Sequence, residues 1–219
     1  VALNATGGIG TSAASRQNLT ASGSVTVTAG GDVFLESAGN VSFGGIDAGA
    51  NGIDVKTTGT GNLEATGALV GATVTLEAGG GIGTGGAVEL TTTGATGLTS
   101  HGAAAAGDVS VSYGSGAVNT SQLTVTMDGT GSQTLAVGTT GAVTVDADLN
   151  LGTDALALTG GTIDGNGTAK LDGATIALTS TTGGIGGTAA VDIGTAVGTT
   201  VSSAAGAHLI YHSGLSDRK

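Results

Sequence analysis

The tetrapeptide Gly-Gly-Ile-Gly occurs three times in this chain, each time after a short alternation of apolar and polar residues. The isoleucines of the three copies are Ile9, Ile82 and Ile185. A second apolar alternation follows at a similar distance after each copy, where it places Val33, Val109 and Leu209. Self-similarity of this kind indicates a repeat protein, in which stacked repeats bury one continuous core. We therefore expect a chain that serves as a shaft or a surface.

The composition limits the kind of core that such repeats can build. The 219 residues include 45 Gly, two Phe and two Tyr, but no Pro, Cys or Trp, so the core must be thin and aliphatic. Disordered linkers can be equally rich in glycine, but the hydrophobic share of 39% and the Val, Ile and Leu at every second position favour ordered strands. The absence of proline fits internal strands, because proline removes a backbone donor.

Apolar residues at positions i and i+2, with Thr, Ser, Asp or Glu between them, recur along the whole chain. In a strand, this pattern sends one row of side chains inward and the other row outward. No window of about ten residues shows the helical period. We predict that the following residues point inward and stack between coils: Val33, Leu35, Ile53, Val55, Val74, Leu76, Val109, Val111, Leu123, Val125, Val143, Val145, Ile176 and Leu178.

The spacing of these strands favours one all-β fold over the others. Val33, Ile53 and Val74 follow one another at nearly equal intervals, and a matching interval separates Leu123 from Val143. The interval is about 20 residues, the size of one coil of a parallel β-helix, whose coils stack about 4.8 Å apart. A sandwich or a propeller could hold the same strands, but two-residue hairpin turns are rare and no Trp-Asp blade pattern occurs. The sequence therefore predicts an all-β parallel β-helix (β-solenoid) of about ten coils.

We expect one β-solenoid segment, residues 1–219, with three long imperfect repeats at about residues 1–73, 74–175 and, as a partial copy, 176–219. The chain begins inside a motif, since Val1-Ala-Leu3 matches Val74-Thr-Leu76. Neither an amphipathic helix nor a polar terminal repeat caps the ends in the sequence. We therefore expect a piece of a longer fibre, or a subunit that stacks end to end with copies of itself.

The charge balance argues against two classes of partner. The net charge is −11, from 16 acidic and 5 basic residues. A surface that binds nucleic acid or an anionic membrane needs clustered Lys and Arg, so neither partner is expected. No apolar run approaches the roughly 20 residues that span a bilayer, so no transmembrane segment is expected. The lack of cysteine suits the cytosol and also large secreted bacterial proteins, and it identifies no compartment.

Two stretches of the chain resemble a known family. The run Leu19-Thr-Ala-Ser-Gly-Ser-Val-Thr-Val-Thr-Ala-Gly-Gly-Asp-Val33 and the pentapeptide Gly7-Gly-Ile-Gly-Thr11 resemble the repeats of filamentous haemagglutinin-like exoproteins. These are very large bacterial adhesins, secreted across an outer membrane as right-handed parallel β-helices. The resemblance implies that fold and an extracellular, cell-surface shaft, for which a cell-surface glycan or protein is the expected partner. The family's secretion domain is absent from the sequence, which leaves the export route open.

Asp146 and Asp148 are the candidates for catalysis. On one face of a strand, their Cα atoms would lie about 7 Å apart, near the separation at which paired carboxylates cleave glycosidic bonds. Sugar sites usually add aromatic platforms, but Tyr113 and Tyr211 are far away in sequence. An acidic turn after Val145 is the simpler interpretation. We therefore expect no enzymatic activity and no cofactor, and a polysaccharide-active β-helix enzyme remains the alternative.

Metal binding has one group of candidates in the sequence. Asp164, Asn166 and Asp172 resemble calcium-binding turns, in which oxygen ligands converge from adjacent coils. The tandem Gly-Gly-x-Gly-x-Asp pattern of such turns is not found, so solvated turns are the competing interpretation. His208 and His212 would meet on a helix, but on a strand they lie roughly 13 Å apart. We expect no metal site at these histidines.

Two further expectations concern side-chain orientation. The third repeat copy predicts that Leu209 and Tyr211 point inward, which leaves His208 and His212 outward, while His101 stands alone in a loop.

The threonine pairs Thr26/Thr28 and Thr124/Thr126 raise ice binding as a further alternative, because a flat face of outward threonines can order water. These pairs do not recur at every rung, and threonine is a good strand former in any case.

Overall fold

The computed structural model describes residues 1–20, 23–194, 196–206 and 208–213. In these ranges the chain is an all-β parallel β-solenoid of about ten turns, each of roughly 22 residues. The predicted parallel β-helix is therefore confirmed, with turns slightly longer than the sequence spacing had suggested. Helical structure in the described ranges consists of two short 3-10 helices, Ala104–Gly107 and Thr120–Gln122.

The strands are short, and turns rich in Gly, Asn, Asp and Thr separate them. In chain order they are β1 (Ala2–Ala5), β2 (Gln17–Leu19), β3 (Val25–Ala29), β4 (Val33–Ser37), β5 (Val41–Asp47), β6 (Gly52–Thr57), β7 (Leu63–Ala65), β8 (Leu69–Val70), β9 (Thr73–Ala78), β10 (Val88–Thr91), β11 (Thr96–Ser100), β12 (Val109–Ser112), β13 (Val118–Asn119), β14 (Leu123–Met127), β15 (Thr134–Gly138), β16 (Ala142–Val145), β17 (Leu149–Asn150), β18 (Ala155–Gly160), β19 (Thr162–Gly165), β20 (Lys170–Asp172), β21 (Thr175–Ser180), β22 (Val191–Ile193), β23 (Gly198–Ser203) and β24 (Ile210–His212).

The strands belong to two compact units. Unit 1 comprises Val1–Ser112 and Leu123–Gln133. Its sheet 1 has the strand order β1-β3-β5-β8-β10-β12, with β7 also paired to β5, and its sheet 2 has the order β14-β11-β9-β6-β4-β2. Unit 2 comprises Tyr113–Gln122 and Thr134–Lys219. It contains sheet 3 (β15-β18-β21-β23), sheet 4 (β13-β16-β19) and sheet 5 (β17-β20-β22-β24).

The strand register stacks like residues on like residues between successive turns. In sheet 2, Leu35 pairs with Val55, Val55 with Leu76, and Leu76 with Leu98. All four side chains are at most 1% exposed. Burial of such a side chain contributes about 1.5 to 3 kcal/mol to folding, so these aliphatic ladders replace the bulky aromatic core that the composition rules out.

The inward set predicted from the sequence is largely confirmed. Twelve of the fourteen residues are buried, and Leu123 and Val125 are half-buried. Both lie on β14, which is the last strand of sheet 2 in the order given above. In the strand order of the described residues, β14 is hydrogen-bonded to β11, and its Leu123 and Val125 are less buried than the stacked residues of the inner strands.

The three Gly-Gly-Ile-Gly copies form the same corner. Each isoleucine bridges in parallel to a residue one turn further on, and the pairs are Ile9 with Val33, Ile82 with Val109, and Ile185 with His208. The glycine after each isoleucine has a φ of 72°, 64° or 68°, in the left-handed region that favours glycine. The repeated sequence thus encodes a turn that is hydrogen-bonded to the next coil.

The third copy departs from the predicted register by one residue. Ile185 pairs with His208 rather than with Leu209. Leu209 is 57% exposed and Tyr211 is 61% exposed, so the prediction that they point inward is wrong. Ile210 is half-buried instead, and it pairs with Val191 on β22. A shift of one residue moves Ile210 to the inner face and turns Leu209 and Tyr211 outward. His208 and His212 are exposed as well, so Ile210 is the one half-buried residue of the stretch 208–212.

Candidate functional site

Asp146 and Asp148 follow strand β16, but they bind to different coils of unit 2. The Asp146 carboxylate accepts the main-chain N–H of Ser121 at 2.8 Å, its hydroxyl at 2.7 Å and the Thr120 hydroxyl at 3.3 Å. The Asp148 carboxylate accepts the main-chain N–H of Lys170 at 2.9 Å. Ser121 lies one coil before the pair and Lys170 one coil after it. The two carboxylates thus join their turn to both neighbouring coils.

The environment of Asp146 favours its charged form. Burial raises the pKa of this carboxyl, but the hydrogen bonds from Ser121 and Thr120 outweigh burial and leave the pKa below its ordinary value of 3.8. A general acid needs the opposite shift, because it must hold a proton near neutral pH. The geometry and the charge of Asp146 therefore suit a structural bond between coils.

The calcium candidates lie in and beside the turn after β19. Asp164 accepts the main-chain N–H of Thr188 at 2.8 Å. The Asn166 side-chain oxygen accepts the N–H groups of Thr168 at 2.9 Å and Ala169 at 2.8 Å, so it closes its own turn. Asp172 lies on β20. Among the described residues, no group of three or more His, Cys, Asp or Glu could hold a metal ion. Calcium binding at Asp164, Asn166 and Asp172 stays a prediction.

The histidines have different surroundings. His208 and His212 are exposed, as predicted. His101 does not stand alone, as the sequence had suggested, since its Nδ1 lies 2.6 Å from the Asp128 carboxylate and its Nε2 lies 3.4 Å from the Glu77 carboxylate. Lys56 approaches the same oxygen of Glu77 at 2.6 Å. Lys56, Glu77, His101 and Asp128 therefore form a continuous cluster, called here the charged column.

Contacts within the charged column shift the pKa values of His101 and Glu77. The hydrogen bond with Asp128 raises the pKa of His101 above its ordinary value of 6.5, against a smaller opposing effect of burial, and Glu77 contributes in the same direction. Burial raises the pKa of Glu77, but Lys56 and His101 outweigh burial and lower it overall. The column thus favours alternating positive and negative charges.

A second ion pair lies on the same outward side of sheet 2. Arg16 approaches the Asp54 carboxylate at 2.7 Å, and the two side chains are 13% and 18% exposed. Asp54 lies on β6, whereas Arg16 immediately precedes β2. The pair therefore ties the outermost segment of this sheet to a strand two positions further inside it.

A buried polar cluster in unit 1 was not anticipated from the sequence. The Ser100 hydroxyl lies 2.9 Å from the carbonyl oxygen of Gly80 and 2.6 Å from that of Gly107. The Gln133 amide nitrogen donates to the carbonyls of Gly102 at 2.5 Å and Gly107 at 3.2 Å. These side chains contact backbone carbonyls of the loop that contains the first 3-10 helix and, at Gly80, of the turn after β9. A lone Ser and Gln carry no pattern that would have revealed this role.

The described residues line at least two open clefts. A cleft of about 440 Å³ in unit 1 is lined by Asn40, Asn62, Glu64 and Thr84 among others. Its polar groups bind one another, since Glu64 accepts the Thr84 hydroxyl at 2.6 Å and the Asn62 amide nitrogen donates to that hydroxyl oxygen at 3.3 Å. A cleft of about 640 Å³ in unit 2 is lined mainly by Gly, Ala and Thr. Neither cleft brings together the residues singled out for catalysis.

The threonine pairs do not extend into columns between turns. Thr26 pairs with Ala2 on one side and Gly45 on the other, and Thr28 pairs with Asn4 and Asp47. Thr124 pairs with Gly97, whereas Thr126 pairs with Thr99. Ice binding therefore stays a hypothesis from the sequence, and these registers add no support to it.

Comparisons with protein-family models, with curated proteins and with solved structures find no match to this chain. Within the part of the chain that the structure describes, no helix has both the length and the apolar character needed to cross a membrane. Evidence for a function therefore comes from the fold, from the contacts above and from the sequence itself.

Proposed function

We propose that the chain is a structural and adhesive β-solenoid segment of a secreted bacterial cell-surface protein, in which it forms part of a fibre or shaft. The observation that carries this proposal is the use of polar side chains. Asp32, Asn40, Asp146, Asp148 and Asp164 each accept a main-chain N–H from an adjacent coil. Carboxylates and amides that would line an active site in an enzyme here hold the coils together.

The ladders of stacked residues also support a mechanical role for the chain. Parallel hydrogen bonds and stacked aliphatic residues connect each turn with its neighbours, so the repeats of each unit share one core. A force along the stack would have to break several such contacts at once. This is the property that a shaft requires.

The adhesive role, the bacterial origin and the extracellular location rest on the resemblance to filamentous haemagglutinin-like repeats. That resemblance also supports a surface glycan or protein as a partner, whereas self-association follows from the tendency of unpaired strand edges to accept further strands. The net charge of −11 suits a protein that stays dispersed outside the cell and does not bind nucleic acid. We propose that the chain has no catalytic activity of its own.

A combined binding and hydrolysis assay tests this proposal. Beads coated with the full chain are applied to cultured epithelial cells and to a glycan array, and the release of reducing sugar is measured in parallel. We expect retention on cells or glycans without sugar release. Absence of retention on both surfaces would remove the adhesive half of the proposal.

The two alternative functions predict different experimental results. A polysaccharide-active enzyme would release sugar, and the double variant Asp146→Asn/Asp148→Asn would abolish that release. An ice-binding solenoid would produce thermal hysteresis. Either result would overturn the proposed function.

A further inference from the structure

The charged column links four neighbouring strands of sheet 2. Lys56 lies on β6 and Glu77 on β9, His101 follows the last residue of β11, and Asp128 follows the last residue of β14. The strands are adjacent in the order β14-β11-β9-β6. With a protonated imidazole, the four charges alternate in sign from one strand to the next. Glu77 and His101 then each attract two neighbours of opposite charge, and Lys56 and Asp128 each attract one.

The strand at the end of the column is the least firmly packed of the four. Leu123, Val125 and Met127 of β14 are half-buried, whereas Leu98 on β11 is fully buried. Because the apolar side chains of β14 are only half-buried, a side-chain contact at its end adds noticeably to its attachment to β11.

We propose that His101 is a pH-dependent clamp, which holds β14 against β11 when its imidazole is protonated and loosens it when the imidazole is neutral. Within the described residues, the charged side chains in contact with His101 are Glu77 from β9 and Asp128 beyond β14. Lys56 from β6 contacts Glu77 on its other side. Both direct neighbours of His101 are acidic, so protonation strengthens the contact and deprotonation weakens it.

The direction of the effect follows from the linkage between protonation and folding. The pKa of His101 is raised in the folded chain. Its stabilising contribution is therefore complete below the ordinary value of 6.5 and is lost as the pH rises through the folded pKa. Loosening of β14 would bare the edge of β11, whose main-chain groups can pair with a strand of another chain. This goes beyond the proposed shaft function and does not depend on it.

Hydrogen exchange of the full chain tests the clamp. The protection of amides in Leu123–Met127 is divided by that of amides in Gly52–Thr57 in the same sample, which cancels the intrinsic pH dependence of exchange. The side chains of His101 and Asp128 are 40% and 55% exposed. For an exposed pair of this kind, we expect the ratio to fall about two- to fivefold between about pH 5.5 and pH 9. An NMR titration of His101 locates the midpoint.

Two variants separate the clamp from other pH effects. His101→Gln cannot take up a proton, so its protection ratio should stay constant across this range. His208→Gln, which removes an exposed histidine in unit 2, should retain the wild-type fall. A wild-type ratio that does not change with pH, or an equal change in His101→Gln, would overturn the proposal.

Discussion

The Asp146 carboxylate accepts the main-chain N–H of Ser121 at 2.8 Å, across 25 positions of sequence. The Ser121 hydroxyl adds a second bond at 2.7 Å to the other carboxylate oxygen. An aspartate held in this way joins two turns of the solenoid where neither has a strand. Asp146, one of the two candidates for catalysis in the sequence, thus forms a hydrogen-bonded link between two coils.

Replacement of Asp146 by Ala should lower the free energy of unfolding by about 1 to 2 kcal/mol, because it removes charge-assisted hydrogen bonds at a partly exposed site. The matched control is Asp148→Ala, which removes one hydrogen bond at an exposed position and should cost less than about 1 kcal/mol. Urea denaturation of both variants measures the difference. Equal costs would contradict the role assigned to Asp146.

The same carboxylate should make stability depend on pH in the acid range. Its folded pKa is lowered, so its contribution is complete above the ordinary value of 3.8 and is lost as the pH falls through the folded pKa. We expect the stability difference between the wild type and Asp146→Asn to shrink over that window. Denaturation curves at several acidic pH values would show it, and a difference that grows on acidification would refute this assignment.

The degree of burial of an aliphatic side chain in the ladders should determine how much stability is lost when that side chain is replaced by alanine. Leu98→Ala removes a fully buried side chain of β11 and should cost about 2 to 5 kcal/mol. Leu123→Ala makes the same chemical change on the neighbouring strand β14, where the side chain is half-buried, and should cost about 1 kcal/mol. Thermal or urea unfolding distinguishes the two. A cost for Leu123→Ala as large as that for Leu98→Ala would mean that β14 is packed as firmly as β11.

The corner motif permits a comparison between two glycines of nearly equal conformation. Gly83 has a φ of 64° and Gly59 a φ of 65°. A Cβ on Gly83 would overlap the carbonyl oxygen of Ser110, whereas a Cβ on Gly59 meets no atom within 4 Å. Gly59→Ala should therefore cost only the left-handed backbone conformation, about 1 kcal/mol. Gly83→Ala should cost at least about 2 kcal/mol more, since overpacking adds to that strain. Urea denaturation of the two variants measures the difference, and equal costs would contradict the close packing assigned to Gly83.

The inward residues could be predicted because the side-chain period of a strand is two, and Val33, Leu35, Val55 and Leu76 all obey it. Whether such a residue points inward depends on its position within its own strand, so local sequence is enough to predict it. The charged column could not be predicted in this way, since the partners of His101 lie 24 and 27 positions away and meet it only through the stacking of turns. The third repeat copy led to a wrong register, because Ile185 pairs with a residue 23 positions further on (208 − 185), whereas Ile9 pairs with one 24 positions further on (33 − 9).

The corrected register at β24 leads to a local test. Ile210 pairs with Val191 and is half-buried, so Ile210→Ser should destabilise this edge of sheet 5 by about 1 kcal/mol. Leu209→Ser and Tyr211→Ser alter side chains that are more than half exposed, and each should change stability by less than about 0.5 kcal/mol. Hydrogen exchange of the β22 amides provides the measurement. The reverse order of effects would restore the register predicted from the repeat.

The turn after β19 allows the calcium hypothesis to be tested against a structural role. The Asn166 side-chain oxygen accepts two main-chain N–H groups of its own turn, and its amide nitrogen donates to the Asp146 carbonyl at 3.0 Å. Asn166→Ala should therefore cost about 1 kcal/mol in the presence of a chelator. If the oxygen serves only the turn, added Ca²⁺ leaves both unfolding curves unchanged. If Asp164, Asn166 and Asp172 hold the ion, Ca²⁺ at about 100 times its Kd stabilises the wild type by about 2.7 kcal/mol and Asn166→Ala by much less.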